Sequence, residues 1–463
     1  MFKLKNVHHL SIIIILIWII TFYLQERYIT KLTIHKCNWS KLEEKGDQKN
    51  ILIIADPQLI DNHTYPGRNE LLLSLSKHTV DQYLKKNYNV LISHLNPDKI
   101  VFLGDLLDNG RDSTDSYFKH EVKRFNGIFH PDEDMILNVP GNHDIGFGDL
   151  INLKNRQRFF DTFGESNRVM EYNDWDLIFL DSPSYSSTKE EINTQARQFI
   201  SNFQISQNPR ILFTHVPLQR ESSICGPLRE SKGLDINGHG YQYQNTIAKE
   251  LSAQILDNLK PNLIFTGDDH DYCEIIHKET DSREITVKSI SMAMGIKYPA
   301  VQLLSINKSE YSTVLCYLQT PYINVANYII LAIISSVLIF YFNLKQRSVR
   351  YNYTSILPMS TVTIGSEHSK KIRNFLKAQD NDDADSDGIS TYSLPSSIPQ
   401  YTFTQKKESF INSNSRFGRL YILNKKRLIT FLRKWNLVAW FKQNVILGFI
   451  VIGIYYFGFS LTL

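Results

Sequence analysis

The 463-residue sequence has almost no net charge: 51 Lys and Arg against 47 Asp and Glu leave +4, which is no footprint for nucleic acid. It has no internal repeat, and no small-x-small cleavage site follows its first apolar run. Cysteine is scarce, with four residues (Cys37, Cys225, Cys273, Cys316) and none in segment 344–443. Lys and Arg are missing from the fifteen residues before Val325 and from everything after Lys442. With 42% hydrophobic and 21% charged residues, wholesale disorder is excluded. The length suits one domain of about 250 residues with appendages, or two smaller domains.

Three apolar runs are present, at 10–24, 325–342 and 445–463. A bilayer core takes about 20 apolar residues as helix, with ~17 the lower limit. The first run reads as an uncleaved anchor that extends into its flanks. The second is a span or, given Asn327, Ser335 and Ser336, a buried core helix. The third reads as a span. Positive residues gather on the cytosolic side of spans. Lys345, Arg347 and Arg350 follow the second run, and Lys425, Lys426, Arg427, Arg433, Lys434 and Lys442 precede the third. Both place 344–443 in the cytosol and the region between the first two runs in a lumen. The first run votes weakly the other way, since Arg27, Lys31 and Lys36 outnumber Lys3 and Lys5.

The lumenal region holds the sequons Asn38-Trp-Ser, Asn62-His-Thr and Asn307-Lys-Ser, and all four cysteines. In an oxidising lumen pairing is expected, and of the three connectivities Cys225–Cys273 with Cys37–Cys316 is preferred. Within the cytosolic segment, 379–400 is acidic and then Ser- and Pro-rich, a composition expected to be disordered. Residues 420–442 mix aromatics with basic residues, and either lie on the membrane surface or flank the third span.

From about 50 to 320 the pattern changes. Short apolar runs that suit buried strands recur: ILIIAD at 51, KIVFLGD at 99, MILNVPGNHD at 135, WDLIFLDS at 175, RILFTHVP at 210 and LIFTGDDHD at 263. Helical patterns lie between them, clearest over 69–95 and 117–129, so the architecture is α/β. Five of the six runs end in residues able to bind a metal: Asp56-x-Gln58, Gly104-Asp105, Gly141-Asn142-His143-Asp144, Thr214-His215 and Gly267-Asp268-Asp269-His270. Sites in open α/β sheets form at the carboxyl ends of strands, so ligands spread over the sequence can converge there. Glycine before three of the clusters lets the chain turn tightly as it leaves the sheet. Singly, each ending reads as a turn. Five in succession read as a metal site.

This ordered set resembles the calcineurin-like metallophosphoesterase superfamily over about 50–300. The resemblance implies a β-sandwich flanked by helices, in α/β/β/α layers, and a two-metal site. Carried over by position, Asp56, Gln58, Asp105 and His270 would hold one ion. Asp105 as a bridge, Asn142, His215 and Asp268 would hold the other. His143 would protonate the leaving group, oriented by Asp144. Such chemistry needs two ions to activate water and clamp phosphoryl oxygens, and an acid near neutral pKa for the departing alkoxide. Asp108 and Arg111 either act at the site or form a surface salt bridge.

Two positions depart from the superfamily pattern. Gln58 stands where a histidine is usual, as does Asp268, with Asp269 an alternative to it. Both exchange nitrogen for oxygen, which favours Mn²⁺ or Mg²⁺ over Zn²⁺. The site is then of low charge and suits a monoanionic diester. Flanking segments (ADPQLIDNHTYPGRN at 55, GDLLDNGRDS at 104, CGPLRES at 225, GYQYQN at 240 and GDDHDYC at 267) resemble the eukaryotic GPI-glycan ethanolamine-phosphate phosphodiesterases, the fungal branch above all. That resemblance implies manganese, the endoplasmic reticulum membrane or early Golgi, and a GPI glycolipid or GPI-anchored protein as substrate, with cargo-sorting machinery as a further partner. Tyr65, Tyr241 and Tyr243 would meet sugar or ammonium, or simply pack. The expected layout is a cytosolic N-terminus and anchor over 1–24, a lumenal metallophosphoesterase domain over 45–320, a span over 325–343, a cytosolic segment over 344–443 and a span over 444–463. The rival readings are a membrane phosphatase for another lumenal phosphoester, and a trafficking protein with a vestigial site.

Overall fold

The computed structural model describes residues 7–43, 47–220, 225–308, 310–353 and 436–459. Segment 379–400 and most of 420–442 lie outside the described residues. Two compact units divide the chain: Ile12–Ile334 with Leu447–Leu463, and Met1–Ser11 with Ser335–Ile446. In the second unit the Asn343 amide donates to Gln443 Oε1 at 2.8 Å and the Trp440 indole to the Ser336 carbonyl at 3.1 Å.

The larger unit is built on two sheets. Its strands are β1 (Lys49–Ile54), β2 (Lys99–Phe102), β3 (Met135–Ile136), β4 (Arg168–Tyr172), β5 (Trp175–Leu180), β6 (Arg210–Thr214), β7 (His239–Gly240), β8 (Tyr243–Gln244), β9 (Leu263–Thr266), β10 (Cys273–His277), β11 (Ser282–Thr286), β12 (Ala300–Ile306) and β13 (Tyr311–Tyr317). One sheet runs β13-β12-β1-β2-β3, the other β10-β11-β9-β6-β5-β4, and β7-β8 is a short hairpin. Pairing is parallel at β1-β2-β3 and β11-β9-β6-β5, and antiparallel at the outer edges.

Side chains alternate across a strand, and here both faces are apolar, which is why the strands read as unbroken runs. Ile51, Ile53, Val101 and Leu103 of the first sheet meet Leu177, Phe179, Ile211, Phe213, Leu263 and Phe265 of the second in the central core. Their alternates, Leu52, Ile54, Ile100 and Phe102, pack on the helices Glu70–Leu95 and Asp115–Phe129. On the far side Ile178, Leu180, Leu212 and Ile264 pack on Glu190–Ser201 and Lys249–Leu259. The layers are helix, sheet, sheet, helix. Disulfides Cys37–Cys316 and Cys225–Cys273 close the pairing preferred from the sequence.

Among the described residues, three helices are long and apolar enough to cross a membrane: His9–Ile34, Pro321–Asn343 and Leu437–Gly458. The first continues past Leu24, where the apolar run stops, through a π-helical turn at Leu24–Tyr28 and on to Ile34. Its buried polar residues there, Gln25, Glu26 and Thr30, are paired within the protein. Glu26 meets Lys86 at 2.5 Å, and the Thr30 hydroxyl donates to Gln319 Oε1 at 2.7 Å. Composition falls off while the helix goes on, because the partners come from residues 60 and 289 positions away.

Candidate metal centre

Strand ends position the site. Asp56 and Gln58 follow β1, Asp105 follows β2, Asn142 and His143 open a short helical turn after β3, His215 follows β6, and Asp268 and His270 follow β9. Asp56, Gln58, Asp105, Asp268 and His270 all adopt positive φ, between 33° and 66°, although none is glycine. Strain of this kind persists where the surroundings over-determine it, and it clusters at functional sites. The glycines serve a second purpose besides turning. Gly104 has φ +94°, but a Cβ on Gly141 would fall on the Asp105 carboxylate, and one on Gly267 would lie 3.1 Å from Asp56 Oδ1. At those two positions it is space for ligands, rather than turn geometry, that requires glycine.

Ligand atoms of Asp56, Asp105 and His270 lie within 4.8 Å of one another. On the other side of Asp105, His215 Nε2 stands 3.4 Å from Asp105 Oδ1, 3.4 Å from Asp268 Oδ1 and 3.2 Å from Asn142 Oδ1. Six of the seven ligand positions read from the sequence are linked by these distances, with Asp105 common to both groups, and the Gln58 backbone N–H donates to the Asp105 carbonyl at 2.8 Å. Three of the candidate ligands are held from behind. His215 Nδ1 faces the Leu103 carbonyl at 2.7 Å, the Asn142 amide donates to the Gln242 carbonyl at 3.1 Å, and the Gln58 amide donates to Asp108 Oδ1 at 3.0 Å. Such outer partners fix ligand orientation.

The donor set fits divalent cations. Asp56 Oδ2 and Gln58 Oε1 are buried and have no hydrogen-bond partner among the described residues, a costly state that a cation would relieve. Burial pushes the Asp56 carboxyl well above the ordinary carboxylate range. Burial alone would lower His215, yet Asp105, Asp268 and Asp56 hold its ring well above the ordinary histidine value. Asp269 is turned away, in a buried pair with Arg229 (Nη2 to Oδ1 3.0 Å), so Asp268 is the residue of the two that faces the site.

His143 is a quarter exposed beside the ligands, and its backbone N–H donates to Asp105 Oδ1 at 2.9 Å. The expected orienter of its ring is corrected here. Asp144 accepts the backbone N–H groups of Leu106, Leu107 and Gly141 at 2.9–3.2 Å and makes no contact with the ring. His143 Nδ1 instead lies 2.7 Å from the Asp108 carbonyl and 3.4 Å from its carboxylate. The Thr64 hydroxyl donates to Asp108 Oδ2 at 2.6 Å, which completes the support. Arg111 is buried and donates to the Asn142 carbonyl at 3.3 Å, so it belongs to this cluster and not to the surface. Thr64 and the backbone of Gln242 carried no signal in the sequence, since any residue offers a carbonyl and a lone threonine is commonplace.

A strap crosses the last metal loop. Segment 225–231 is tied to it by Cys225–Cys273, by Arg229–Asp269 and by Lys288, whose fully buried ammonium meets Glu230 at 2.6 Å and Asp271 at 2.8 Å. Removing one partner of such a pair costs about 3–5 kcal/mol, because the remaining charge stays buried. Lys288→Met is expected to lower the melting temperature of the purified chain clearly, and Lys288→Met with Asp271→Asn to recover part of it. An unchanged melting temperature in the single variant would show that the strap carries no weight.

Comparison with known proteins follows the same lines. Residues 49–272 match the family described as calcineurin-like phosphoesterase. Cell division control protein 1 of Saccharomyces cerevisiae is 37% identical over 381 residues, 75% of this chain and 77% of that protein. Metallophosphoesterase 1 of Danio rerio is 25% identical over 338 residues, 67% of this chain and 86% of that one. The metallophosphoesterase 1 homolog of Caenorhabditis elegans is 26% identical, covering 73% and 92%.

Proposed function

This chain belongs to the calcineurin-like phosphoesterases and is a metal-dependent phosphoesterase, and we propose that its substrate is a phosphodiester on a lumenal glycolipid: ethanolamine phosphate on a mannose of the GPI glycan. The observation that carries the reading is that both departures from the usual ligands carry oxygen: Asp268 Oδ1 lies 3.4 Å from His215 Nε2, and Gln58 Oε1 is buried with no hydrogen-bond partner among the described residues. Asp56, Asp105 and Asp268 against two divalent cations leave a formal charge of only +1. That suits a monoanionic diester better than a dianionic monoester, and an oxygen-rich set suits Mn²⁺ better than Zn²⁺.

Two divalent ions, when bound, activate water at neutral pH and neutralise charge on phosphoryl oxygens. The rest falls to side chains. Asp56, Gln58, Asp105 and His270 would hold one ion, and Asp105, Asn142, His215 and Asp268 the other. His143 Nδ1 faces the Asp108 carbonyl, with the Asp108 carboxylate 3.4 Å away, which leaves Nε2 to give a proton to the sugar oxygen as its bond to phosphorus breaks. A merely binding protein would have no use for that pair. Tyr241 and Tyr243, 69% and 43% exposed on the β7-β8 hairpin beside Gln242, can offer ring faces to an ammonium group. Residence in the endoplasmic reticulum membrane would confine enzyme and glycolipid to one surface and raise their effective concentration. Removal of the group would then release GPI-anchored proteins toward cargo-sorting machinery.

Purified chain loaded with Mn²⁺ should cleave bis-p-nitrophenyl phosphate and an ethanolamine-phosphate GPI glycan at least tenfold faster than p-nitrophenyl phosphate. Monoester preference, or higher activity with Zn²⁺ than with Mn²⁺, would contradict the reading. Lumenal placement predicts glycans on exposed Asn38 and Asn62. Asn307 is only 2% exposed, with its Oδ1 accepting the Glu310 N–H at 2.8 Å, and should stay bare. Glycosidase treatment should therefore shift wild type by two glycans, N38Q or N62Q by one, and N307Q by two. No shift at all would place the domain on the other side of the membrane.

A further inference from the structure

The helix Glu70–Leu95 starts with an apolar face that the described residues leave largely exposed. Leu71, Leu72 and Leu75 are 78%, 56% and 39% exposed, and as positions i, i+1 and i+4 they form one patch. A soluble domain rarely leaves three leucines together on one turn. Apart from Glu70 at its first position, the charged residues of this helix begin two turns higher: Lys77 is drawn sideways to Glu121 at 3.2 Å, and Asp81 pairs with Arg124 at 2.5 Å.

Neighbouring residues fix the level of this patch. The helix runs in the same direction as the first apolar helix, with Lys86 beside Glu26 and His94 stacked on His35 at 4.3 Å. Lower down, His78 stacks on Tyr456 of the third apolar helix at 3.8 Å. Leu75 lines a cavity of about 270 Å³ together with Trp18, Phe22, Val325, Val451 and Ile452, residues from all three apolar helices. Leu75 therefore stands beside residues that themselves lie within membrane-crossing segments. Leu71 and Leu72 lie one turn, ~5.4 Å, further along the same helix.

We infer that residues 69–76 are a membrane foot: Leu71, Leu72 and Leu75 insert into the acyl region of the leaflet on the metal centre's side, with the phospholipid bilayer as partner. Continuity with the three apolar helices, which the inference takes as membrane spans, argues for lipid as the occupant over a protein. Tyr65 and Arg68, stacked at 3.6 Å just before the helix, stand where an aromatic ring and a cation favour the headgroup layer. The foot is joined to the site through a few residues. Thr64 supports Asp108, and Gln58 is six positions before it. The foot would hold the metal centre at a fixed, small height above the leaflet, within reach of a phosphoester carried on a lipid-linked glycan.

Leu72→Cys can be labelled selectively, since all four native cysteines are in disulfides. The full chain carrying an environment-sensitive fluorophore at position 72 is reconstituted in phosphatidylcholine nanodiscs, with and without nitroxide-bearing phosphatidylcholine. Labels at Phe449→Cys, 74% exposed on the third apolar helix, and at exposed Lys123→Cys serve as comparisons. The expected result is blue-shifted emission at 72 and quenching at least half as strong as at 449, with none at 123. Quenching at 449 but not at 72 overturns the foot and leaves the spans standing. Absence of quenching at both removes the foot together with the membrane reading. Neither result touches the reaction assigned to the centre, which the diester assay tests separately.

Discussion

Asp105→Asn should lower turnover of any phosphodiester by about 10³-fold or more and leave fewer than two metal ions per chain. Asp105 is the residue common to both ligand groups: it lies in the cluster with Asp56 and His270, and its Oδ1 is 3.4 Å from His215 Nε2. An asparagine there removes a charge and turns an N–H₂ toward a position that needs a lone pair. Several kcal/mol of transition-state stabilisation depend on two ions acting together, and each 1.36 kcal/mol is about tenfold in rate. Metal content by elemental analysis gives a readout besides rate. A third is linkage: Mn²⁺ should raise the melting temperature of the wild type in proportion to its occupancy and do so much less for the variant. Full activity in Asp105→Asn, with two ions still bound, would remove Asp105 from the bridging position.

Why so much of the centre was legible, and so little of its support, has a physical reason. Ligands must be acids, amides or imidazoles, and in this fold they must leave the ends of parallel strands, so composition and place coincide at Asp56, Asp105, Asn142, His215 and His270. The sandwich was legible for a related reason, because strands buried on both faces are apolar at successive positions, as ILII and LIF are. Support is different. It needs only a carbonyl or a hydroxyl at the right distance, which many residues supply. Asp144 follows His143 directly, but the short helical turn points its carboxylate back to the N–H groups of Leu106 and Leu107. Asp108 comes 35 positions earlier and reaches the ring because the loop after β2 folds over it. The first apolar helix shows the same limit. Hydropathy fell at Gln25 and Glu26, but both are buried against partners far along the chain, so the helix did not end.

The correction at His143 carries the second large prediction. If His143 is the leaving-group acid, His143→Ala should slow hydrolysis of an alkyl phosphodiester, such as ethanolamine phosphate on mannose, by about 10²–10⁴-fold. Asp108→Asn, which keeps the backbone carbonyl at Nδ1 and changes only the carboxylate 3.4 Å away, should slow it in the same substrate-dependent way but by less. A p-nitrophenolate leaving group needs little protonation, so bis-p-nitrophenyl phosphate should lose far less, within about tenfold in His143→Ala. The contrast between substrates is what a leaving-group acid predicts, since a distorted metal centre would slow both alike. Asp144→Asn should behave differently again. Its oxygens accept three backbone N–H groups under full burial, and burial with the nearby Asp105 pushes its carboxyl up to about 7. Replacing an accepting oxygen by N–H₂ sets a donor against a donor, at a cost of about 1–3 kcal/mol in stability. The variant should melt earlier yet show no extra penalty on the alkyl substrate relative to the nitrophenyl one. If Asp144→Asn instead reproduced the leaving-group dependence of His143→Ala and Asp108→Asn did not, the ring would answer to Asp144, and the contact at Asp108 would be a neighbour without a role in proton delivery.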